Sequence, residues 1–383
     1  MQDDALCRRA TACDPTDVAD VARLRKHASA AEAAVALDLA KARRKAAAKF
    51  PKQADTLVAD AAGVEQATSL RVARHKARRF ADAGIHRVTD LCCGVGGDAM
   101  GLVEAGLDVA AVDQDPVRAW MAGRNAGCET RVADAAESLS APTTDREAGL
   151  HLDPARRTDA GRIYRLADHR PGPDTLRRLL DRFPHTALKL SPAVNLDELA
   201  AELPPGGAEV EFISEGGRLV QSVVWTGPGL VDPAQPRRAT LVLADRTHTL
   251  TGPPQGAELA APGRYLFAAD PAAERAGLLG RFGMPLIHPR LGLFTGDSAG
   301  PADDPWLTGF ELLAELPWHP GDPRQVRRWL ADHRGGHVEV KTRGKAVDPD
   351  RAQKQLRGTG DNPFTVFVLR FDQRLAALVT RRL

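Results

Sequence analysis

The run Val88-Thr89-Asp90-Leu91-Cys92-Cys93-Gly94-Val95-Gly96-Gly97-Asp98-Ala99 decides the reading of this chain: an apolar strand passes into a glycine-rich turn and then a helix. Glycine has no Cβ, so such a turn bends sharply and lets the backbone approach a bound molecule closely. Asp113 ends the next apolar run, Val109 to Val112, where a carboxylate can accept hydrogen bonds from both hydroxyls of a ribose. Together these features predict an adenosine-type cofactor.

The glycine spacing also fits the dinucleotide fingerprint with Ala99 in its last place, so it does not by itself separate a nicotinamide dinucleotide from S-adenosylmethionine. Three features favour S-adenosylmethionine. Asp90 precedes the first glycine by four residues, where it can meet a charged methionine end. Ala133-Asp134-Ala135 follows the third strand and suits an adenine amino group, and a hairpin closes the strand series. The tyrosines, Tyr164 and Tyr265, lack a lysine four positions later, so the acid pair of short-chain dehydrogenases is missing.

Outward from this stretch, short apolar runs alternate with helix-length segments, the pattern of a parallel sheet built from βαβ units. Strands are expected near Val88 to Cys92, Val109 to Val112, Thr130 to Val132, Leu150 to Leu152 and Ala187 to Leu190. Two alternating runs then flank Gly216-Gly217 between Val210 and Trp225, a hairpin signal. Before the sheet, Ser29-Ala30-Ala31-Glu32 is a capping-box pattern that opens an Ala-rich helix rich in Lys and Arg at its end and stopped by Pro51. A second helix, Leu70 to Phe80, places Leu70, Ala73, Ala77 and Phe80 on one face, Arg71, Arg74, His75, Arg78 and Arg79 around the other, and Gly84 at its end. Residues 228 to 305, rich in Pro and Gly, read as a small β-containing unit with linkers. The end reads as a helix around Pro323 to His333, a strand His337 to Lys341, a helix Pro349 to Leu356 and strands Thr365 to Phe371 and Leu375 to Thr380.

These segments resemble the class I S-adenosylmethionine-dependent methyltransferases, and more closely the bacterial proteins that join such a domain to a C-terminal THUMP-like domain, with distant similarity to trimethylguanosine synthase-like RNA methyltransferases. The resemblance rests on Asp90 to Asp98, Ala111-Val-Asp-Gln-Asp-Pro116, Leu152-Asp-Pro-Ala-Arg-Arg157, Leu188-Lys-Leu-Ser-Pro192 and Val338-Glu-Val-Lys-Thr-Arg-Gly344. Gln66-Ala67-Thr68 also resembles the segment that precedes the methyltransferase fold in those relatives. The implied architecture is α/β: a Rossmann-like class I methyltransferase sheet with an N-terminal helical segment and a C-terminal α+β THUMP-like domain. The segments fall at 1–85 (helical), 86–227 (methyltransferase), 228–309 (β-containing connection) and 310–383 (THUMP-like). S-adenosyl-L-methionine is the implied cofactor, with Asp90, Gly94, Gly96, Asp113 and Asp134 as cofactor residues and Cys92, Val95, Gly97, Gln114 and Ala135 beside them.

On the acceptor side, a pyrimidine C5 methyltransferase generally requires a cysteine beyond the third strand, and no cysteine follows Cys128. A nitrogen acceptor is therefore expected, with oxygen as the lesser option. The loop Asp153-Pro154-Ala155-Arg156-Arg157 follows the fourth strand, where ligands of doubly wound sheets sit. Asp153, Pro154 and Arg156 are the candidate catalytic residues, Asp153 receiving a hydrogen bond from an exocyclic amine. Amino methyltransferases usually continue Asp-Pro with Pro and an aromatic; here Ala155 and Arg156 stand instead, so a flipped base would stack on Arg156, Tyr164 or Trp225. Lys189 either snorkels or pairs structurally, His151 is expected to pack within its strand, and Trp306, Trp318 and Trp329 are expected to fill the C-terminal core.

The 383 residues, 43% hydrophobic and 27% charged, exclude global disorder and a disulfide miniprotein. No apolar run approaches the roughly 18 residues of a membrane span, and Met1-Gln2-Asp3-Asp4 lacks the basic end of a secretory signal. A cytoplasmic protein is expected. Five cysteines, including the adjacent Cys92 and Cys93, suit reduced thiols; Cys7 and Cys13 lack the companions of a zinc site, and no metal is expected. The net charge of +2 hides +5 over residues 1–85, −8 over 86–309 and +5 over 310–383. Basic ends around an acidic middle can hold a polyanion, and a THUMP-like module implies RNA, tRNA or rRNA, by resemblance. Arg71, Arg74, Arg78, Lys341, Arg343 and Lys345 are the candidate RNA contacts. The alternatives are a methyltransferase of a small molecule or protein, an RNA-binding protein that keeps the cofactor fold without catalysis, and a nicotinamide oxidoreductase.

Overall fold

The computed structural model describes residues 4–137, 148–156, 169–203, 207–289, 291–300, 303–343 and 346–383. They fall into two compact units, one formed mainly by residues 1–213 and 220–236, the other mainly by 237–243 and 248–383.

The first unit begins with helices α1 (Asp4–Ala12), α2 (Val18–Leu24), α3 (Ala30–Ala46), α4 (Ala61–Gln66) and α5 (Leu70–Asp82). The capping box at Ser29 and Glu32 is present in both directions, and α3 ends before Pro51. Ser69 caps α5, and Gly84 ends it at φ +77°, a conformation glycine adopts without steric cost. The apolar face of α5 is the one expected, with Lys76 buried in it as well.

The sheet alternates with helices: β1 (Arg87–Leu91), α6 (Gly97–Glu104), β2 (Asp108–Asp113), α7 (Pro116–Ala126), β3 (Glu129–Val132) and β4 (Ala148–Leu152). A short pair follows, β5 (Ala155–Arg156) with β6 (His169–Arg170), and then α8 (Pro173–Arg182), β7 (His185–Leu190), α9 (Leu196–Glu202) and the hairpin β8 (Ala208–Glu215) and β9 (Arg218–Thr226). Gly216 and Gly217 turn that hairpin, both with positive φ, as a two-residue turn between twisted strands demands. The strands lie in the order β8-β9-β7-β4-β1-β2-β3. β1 pairs in parallel with β2 and β4, β4 with β7, and β9 closes antiparallel on β7. Flanked on both sides, β4 is buried at every position. The chain runs outward from β1 to β3, then returns to β4 on the other side of β1, so β1 and β4 form the switch point where doubly wound sheets open a crevice at their carboxyl ends.

The second unit holds β10 (Arg237–Val242), β11 (Thr247–Gly252), β12 (Tyr265–Ala269), α10 (Pro271–Ala276), β13 (Leu293–Gly296), β14 (Leu307–Pro317), α11 (Arg324–Asp332), β15 (Gly335–Thr342), α12 (Pro349–Leu356), β16 (Asn362–Phe371) and β17 (Arg374–Arg382). Six of these strands form one sheet in the order β13-β12-β14-β17-β16-β15. The expected helices and last three strands stand where the pattern placed them, whereas β14 was not anticipated. Its residues are mostly half-buried and do not alternate cleanly, so no period of two marks it. Trp306 and Trp318 are buried, and Trp329, half-buried, packs against the core that holds Trp318 while its outer face stacks on exposed His333 at 3.7 Å.

Candidate active site

The carboxyl ends of β1, β2 and β4 open onto a cleft of about 1190 Å³ in the first unit. Asp90, Cys92, Gly94, Val95, Gly97 and Asp113 line it, as do Gln114, Asp134, Ala135, Asp153 and Pro154. Gly96 is the candidate cofactor residue that does not: a Cβ there would meet the Ala122 backbone at 2.8 Å, so packing against α7 requires this glycine. Gly94, at φ +57°, has open space where a Cβ would stand, and a side chain there would project into the free volume. Cys92 takes a left-handed φ of 60°, a conformation that costs a non-glycine residue on the order of 1 kcal/mol or more and clusters at functional sites.

The loop is held by hydrogen bonds that the sequence left unspecified. Asp113 accepts from the Gly94 N–H through Oδ2 and from the Asp115 N–H through Oδ1, both at 3.0 Å. Each oxygen retains a lone pair. Asp134, exposed, accepts from the Ala136 N–H at 2.8 Å. Asp153 is anchored by its own N–H, which donates to the Leu91 carbonyl at 3.1 Å and ties the end of β4 to β1.

Beneath the cleft lies a buried ionic chain built from four elements. Lys76 of α5 sets its Nζ 2.6 Å from Asp98 Oδ1 in an ion pair and donates to His151 Nε2 at 2.9 Å. With Nε2 accepting, the imidazole keeps its proton on Nδ1, which donates to Asp90 Oδ1 at 2.7 Å. Thr68 donates to Asp98 Oδ2 at 2.7 Å. Burial works against the charge of Asp98, but the Lys76 ammonium outweighs it and holds the carboxyl well below its usual range. Burial draws Lys76 below the ordinary lysine value and pushes Asp90 above the ordinary carboxylate value. His151 was expected to pack within its strand; it does, at 1% exposure, and also orients Asp90.

Two buried polar atoms of the cleft have neither a hydrogen-bond nor an ion-pair partner among the described residues: Asp90 Oδ2, an acceptor, and Gln221 Nε2, a donor on β9. A buried unpaired donor or acceptor costs roughly 1–3 kcal/mol, so this pair suits a ligand that brings both a hydrogen-bond donor and an acceptor. The α-ammonium and α-carboxylate of a methionine moiety are such a pair, and a cleft ending at Asp113 has a carboxylate for a sugar. The residues present fit S-adenosylmethionine.

At the acceptor end, Lys189 of β7 donates to Asp153 Oδ2 at 2.5 Å, the pairing alternative of the two expected for this lysine. Burial disfavours its charge, yet Asp153 and Asp98 carry Lys189 above the usual lysine value, so it stays a cation. Burial, reinforced by the carboxylates of Asp153, Asp113 and Asp90, pushes the Cys92 thiol up to about 12. Cys93 is pushed up for the same reason.

Several expectations change. Trp225 cannot stack on a base: it is fully buried, donates to Glu211 at 2.7 Å and lies under the Arg79 guanidinium at 4.1 Å. His75 and Arg79 are likewise drawn from the basic face of α5 by buried Glu209 and Glu211. Arg74 pairs with Glu104 at 2.6 Å and Arg343 with Glu274, while Lys341 stands 3.6 Å from Glu339. Arg78 is exposed, and Arg71 is half-buried. Tyr164, Arg157 and Lys345 lie outside the described residues, and of Arg156 only the backbone, paired with His169, is described. Among the described residues no group of three or more His, Cys, Asp or Glu could hold a metal, and no helix is long and apolar enough to cross a membrane.

An uncharacterized S-adenosylmethionine-dependent methyltransferase of Mycobacterium tuberculosis (strain H37Rv) is 32% identical to this chain over 313 residues, 80% of this chain and 83% of the relative. The chain belongs to the S-adenosylmethionine-dependent methyltransferases. Residues 307–382 of this methyltransferase match the family described as THUMP domain-like. Its fold is shared with the crystal structure of a "putative methyltransferase" from Porphyromonas gingivalis W83, which covers 99% of this chain and 97% of its own at a TM-score of 0.73 and 18% identity. The doubly wound sheet is thus the Rossmann-like sheet of a class I methyltransferase, and S-adenosyl-L-methionine is its cofactor.

Proposed function

We propose that this methyltransferase modifies a nitrogen of a nucleotide in structured RNA, tRNA or rRNA. The cofactor, when bound, supplies a methyl carbon already activated by its sulfonium, so the protein needs chiefly to orient an acceptor lone pair and exclude water. Asp90 Oδ2 receives the ammonium, Gln221 Nε2 the carboxylate, and the second lone pairs of Asp113 the ribose hydroxyls. Asp134 and Ala135 face the adenine edge. Substituting Asp113→Ala removes the ribose contact and the clasp on Gly94 together, and should weaken S-adenosylhomocysteine binding about tenfold or more in a titration. Unchanged affinity would remove Asp113 from the site.

The observation that carries the nitrogen assignment is the Asp153 carboxylate at the rim. Lys189 occupies Oδ2, and Oδ1 has no hydrogen-bond partner among the described residues. That oxygen can accept from an exocyclic amine, steering its lone pair, and take up the proton that the amine releases. The thiols of the cleft do not offer the competing route, because Cys92, pushed up to about 12, is protonated at neutral pH and a weak nucleophile toward a pyrimidine ring. The RNA assignment draws on the THUMP-like module and the basic termini. It is tested by incubating the protein with labelled cofactor and total RNA, followed by nucleoside mass spectrometry. An N-methylated nucleoside is expected; a C5-methylpyrimidine would overturn the nitrogen reading, and absence of label in RNA the RNA reading.

A further inference from the structure

A second cavity, about 1270 Å³, lies in the first unit between the N-terminal helices and α7. Helix α7 turns Val117, Trp120, Met121 and Arg124 toward it, the i, i+3, i+4, i+7 spacing of a single face. Such a stripe is normally packed, yet Val117 and Trp120 are 54% and 49% exposed, and Val35 of α3, in the same cavity, is 54% exposed. Among the described residues eight large apolar side chains are exposed, and three of them meet here, so the patch is a groove and not scattered surface.

The rim is cationic. Arg8 of α1, Arg44 of α3 and Arg124 of α7 are all exposed, and Arg8 and Arg124 have no carboxylate partner among the described residues. Arg44 spends one N–H on the Thr11 carbonyl at 3.3 Å, and Arg43 donates its Nε to the Leu57 carbonyl at 3.1 Å, leaving both charges unneutralised by these contacts. Of the three aspartates on the lining, Asp60 is taken by a two-pronged bond from Arg118, at 2.7 and 3.1 Å, which leaves Asp38 and Asp55 against four arginines. An apolar floor with a half-exposed indole, ringed by guanidinium groups from three helices, matches a ligand with an aromatic face and an anionic backbone. The same Arg118 lines the cofactor cleft, so the Asp60–Arg118 pair is a shared wall between groove and active site.

We infer that this groove binds an unpaired segment of RNA, with a base stacked on Trp120 and flanking phosphates held by Arg8, Arg44 and Arg124. The inference rests on the RNA reading above and adds where the substrate is gripped outside the active site. The site gives little sequence selectivity, because stacking accepts any base and the arginines meet phosphates.

The test measures anisotropy of a labelled single-stranded oligoribonucleotide of roughly 12 residues on the full chain at about 50 and about 200 mM salt. Trp120→Ala should lower affinity about tenfold or more, with Trp120→Phe keeping most of it, while S-adenosylhomocysteine affinity stays unchanged in both. Arg44→Glu with Arg124→Glu should lower affinity and flatten the salt dependence. Wild-type affinity in Trp120→Ala, alongside continued methylation of RNA, overturns the groove and spares the RNA reading. Absence of RNA binding by the wild-type chain overturns both. A concentration-dependent dimer lost in Trp120→Ala, with RNA affinity intact, assigns the groove to a second copy and overturns the proposal.

Discussion

Substituting Lys76→Met is expected to destabilise the protein by about 3–5 kcal/mol, the cost typical of removing one partner from a buried ion pair. Lys76 is 1% exposed and faces Asp98 at 8%. Without the ammonium, Asp98 loses the charge that holds its carboxyl low, and His151 Nε2 loses its donor. The proton of the imidazole is then no longer confined to Nδ1, so the hydrogen bond that aims Asp90 at the cleft weakens and cofactor affinity falls with stability. Urea unfolding and a cofactor titration read the two effects separately. A double substitution, Lys76→Met with Asp98→Leu, removes both charges and should recover much of the stability but not the affinity. If Lys76→Met unfolds like wild type, the buried chain has no structural weight.

The pH dependence has a definite sign. Asp98 titrates lower in the folded protein than the ordinary carboxylate value of 3.8. Its contribution to stability is therefore complete above that unfolded value and is lost as pH falls below 3.8 through the lower folded value. In Asp98→Asn the stability measured at neutral pH should drop, and the decline between that level and strong acid should be shallower than in wild type.

The second large effect concerns chemistry. Asp153→Asn keeps the side chain's shape and one acceptor oxygen but removes its capacity to take a proton, and should lower kcat by about 10²–10⁴-fold while cofactor affinity persists. The contact with Lys189 survives as a weaker hydrogen bond, so the fold is retained. Single-turnover methylation of RNA measures the rate, and a variant within about threefold of wild type would remove Asp153 from the proton path and leave it a positioning partner of Lys189.

The site's outline was readable because its signals are local. Glycine at Gly94 answers a backbone conformation, Asp113 stands at a strand end, and Asp153 follows a strand whose uniform burial shows as an apolar run. Gly96 was read as a ligand contact; a further requirement for glycine there, the close approach of α7, is one that only packing reveals. Lys76, His151 and Gln221 left no pattern that separates them from surface residues or core histidines, and Asp98, though inside the glycine-rich run, carried no sign of its buried partner. They lie in different elements, the farthest apart by more than a hundred residues, and meet only when α5 packs on the sheet and β9 closes it. Likewise His75 and Arg79 were offered to solvent by helical spacing and Trp225 to a flipped base, and all three were withdrawn by Glu209 and Glu211, charges that alternate into the interior of β8.

Strand β14 makes the same point for the fold. The stretch Phe310-Glu311-Leu312-Leu313-Ala314-Glu315-Leu316 has no strand period, and pairing with β12 on one edge and β17 on the other imposes extension on it. What the amino-acid order determined alone was the alternation of strands and helices, the glycine turn and the carboxylates at strand ends, because each is set within a few residues by backbone sterics and periodic burial. What tertiary structure decided was which charges are buried together beneath the cleft and which helix face stays uncovered, because both depend on contacts between residues far apart in the chain.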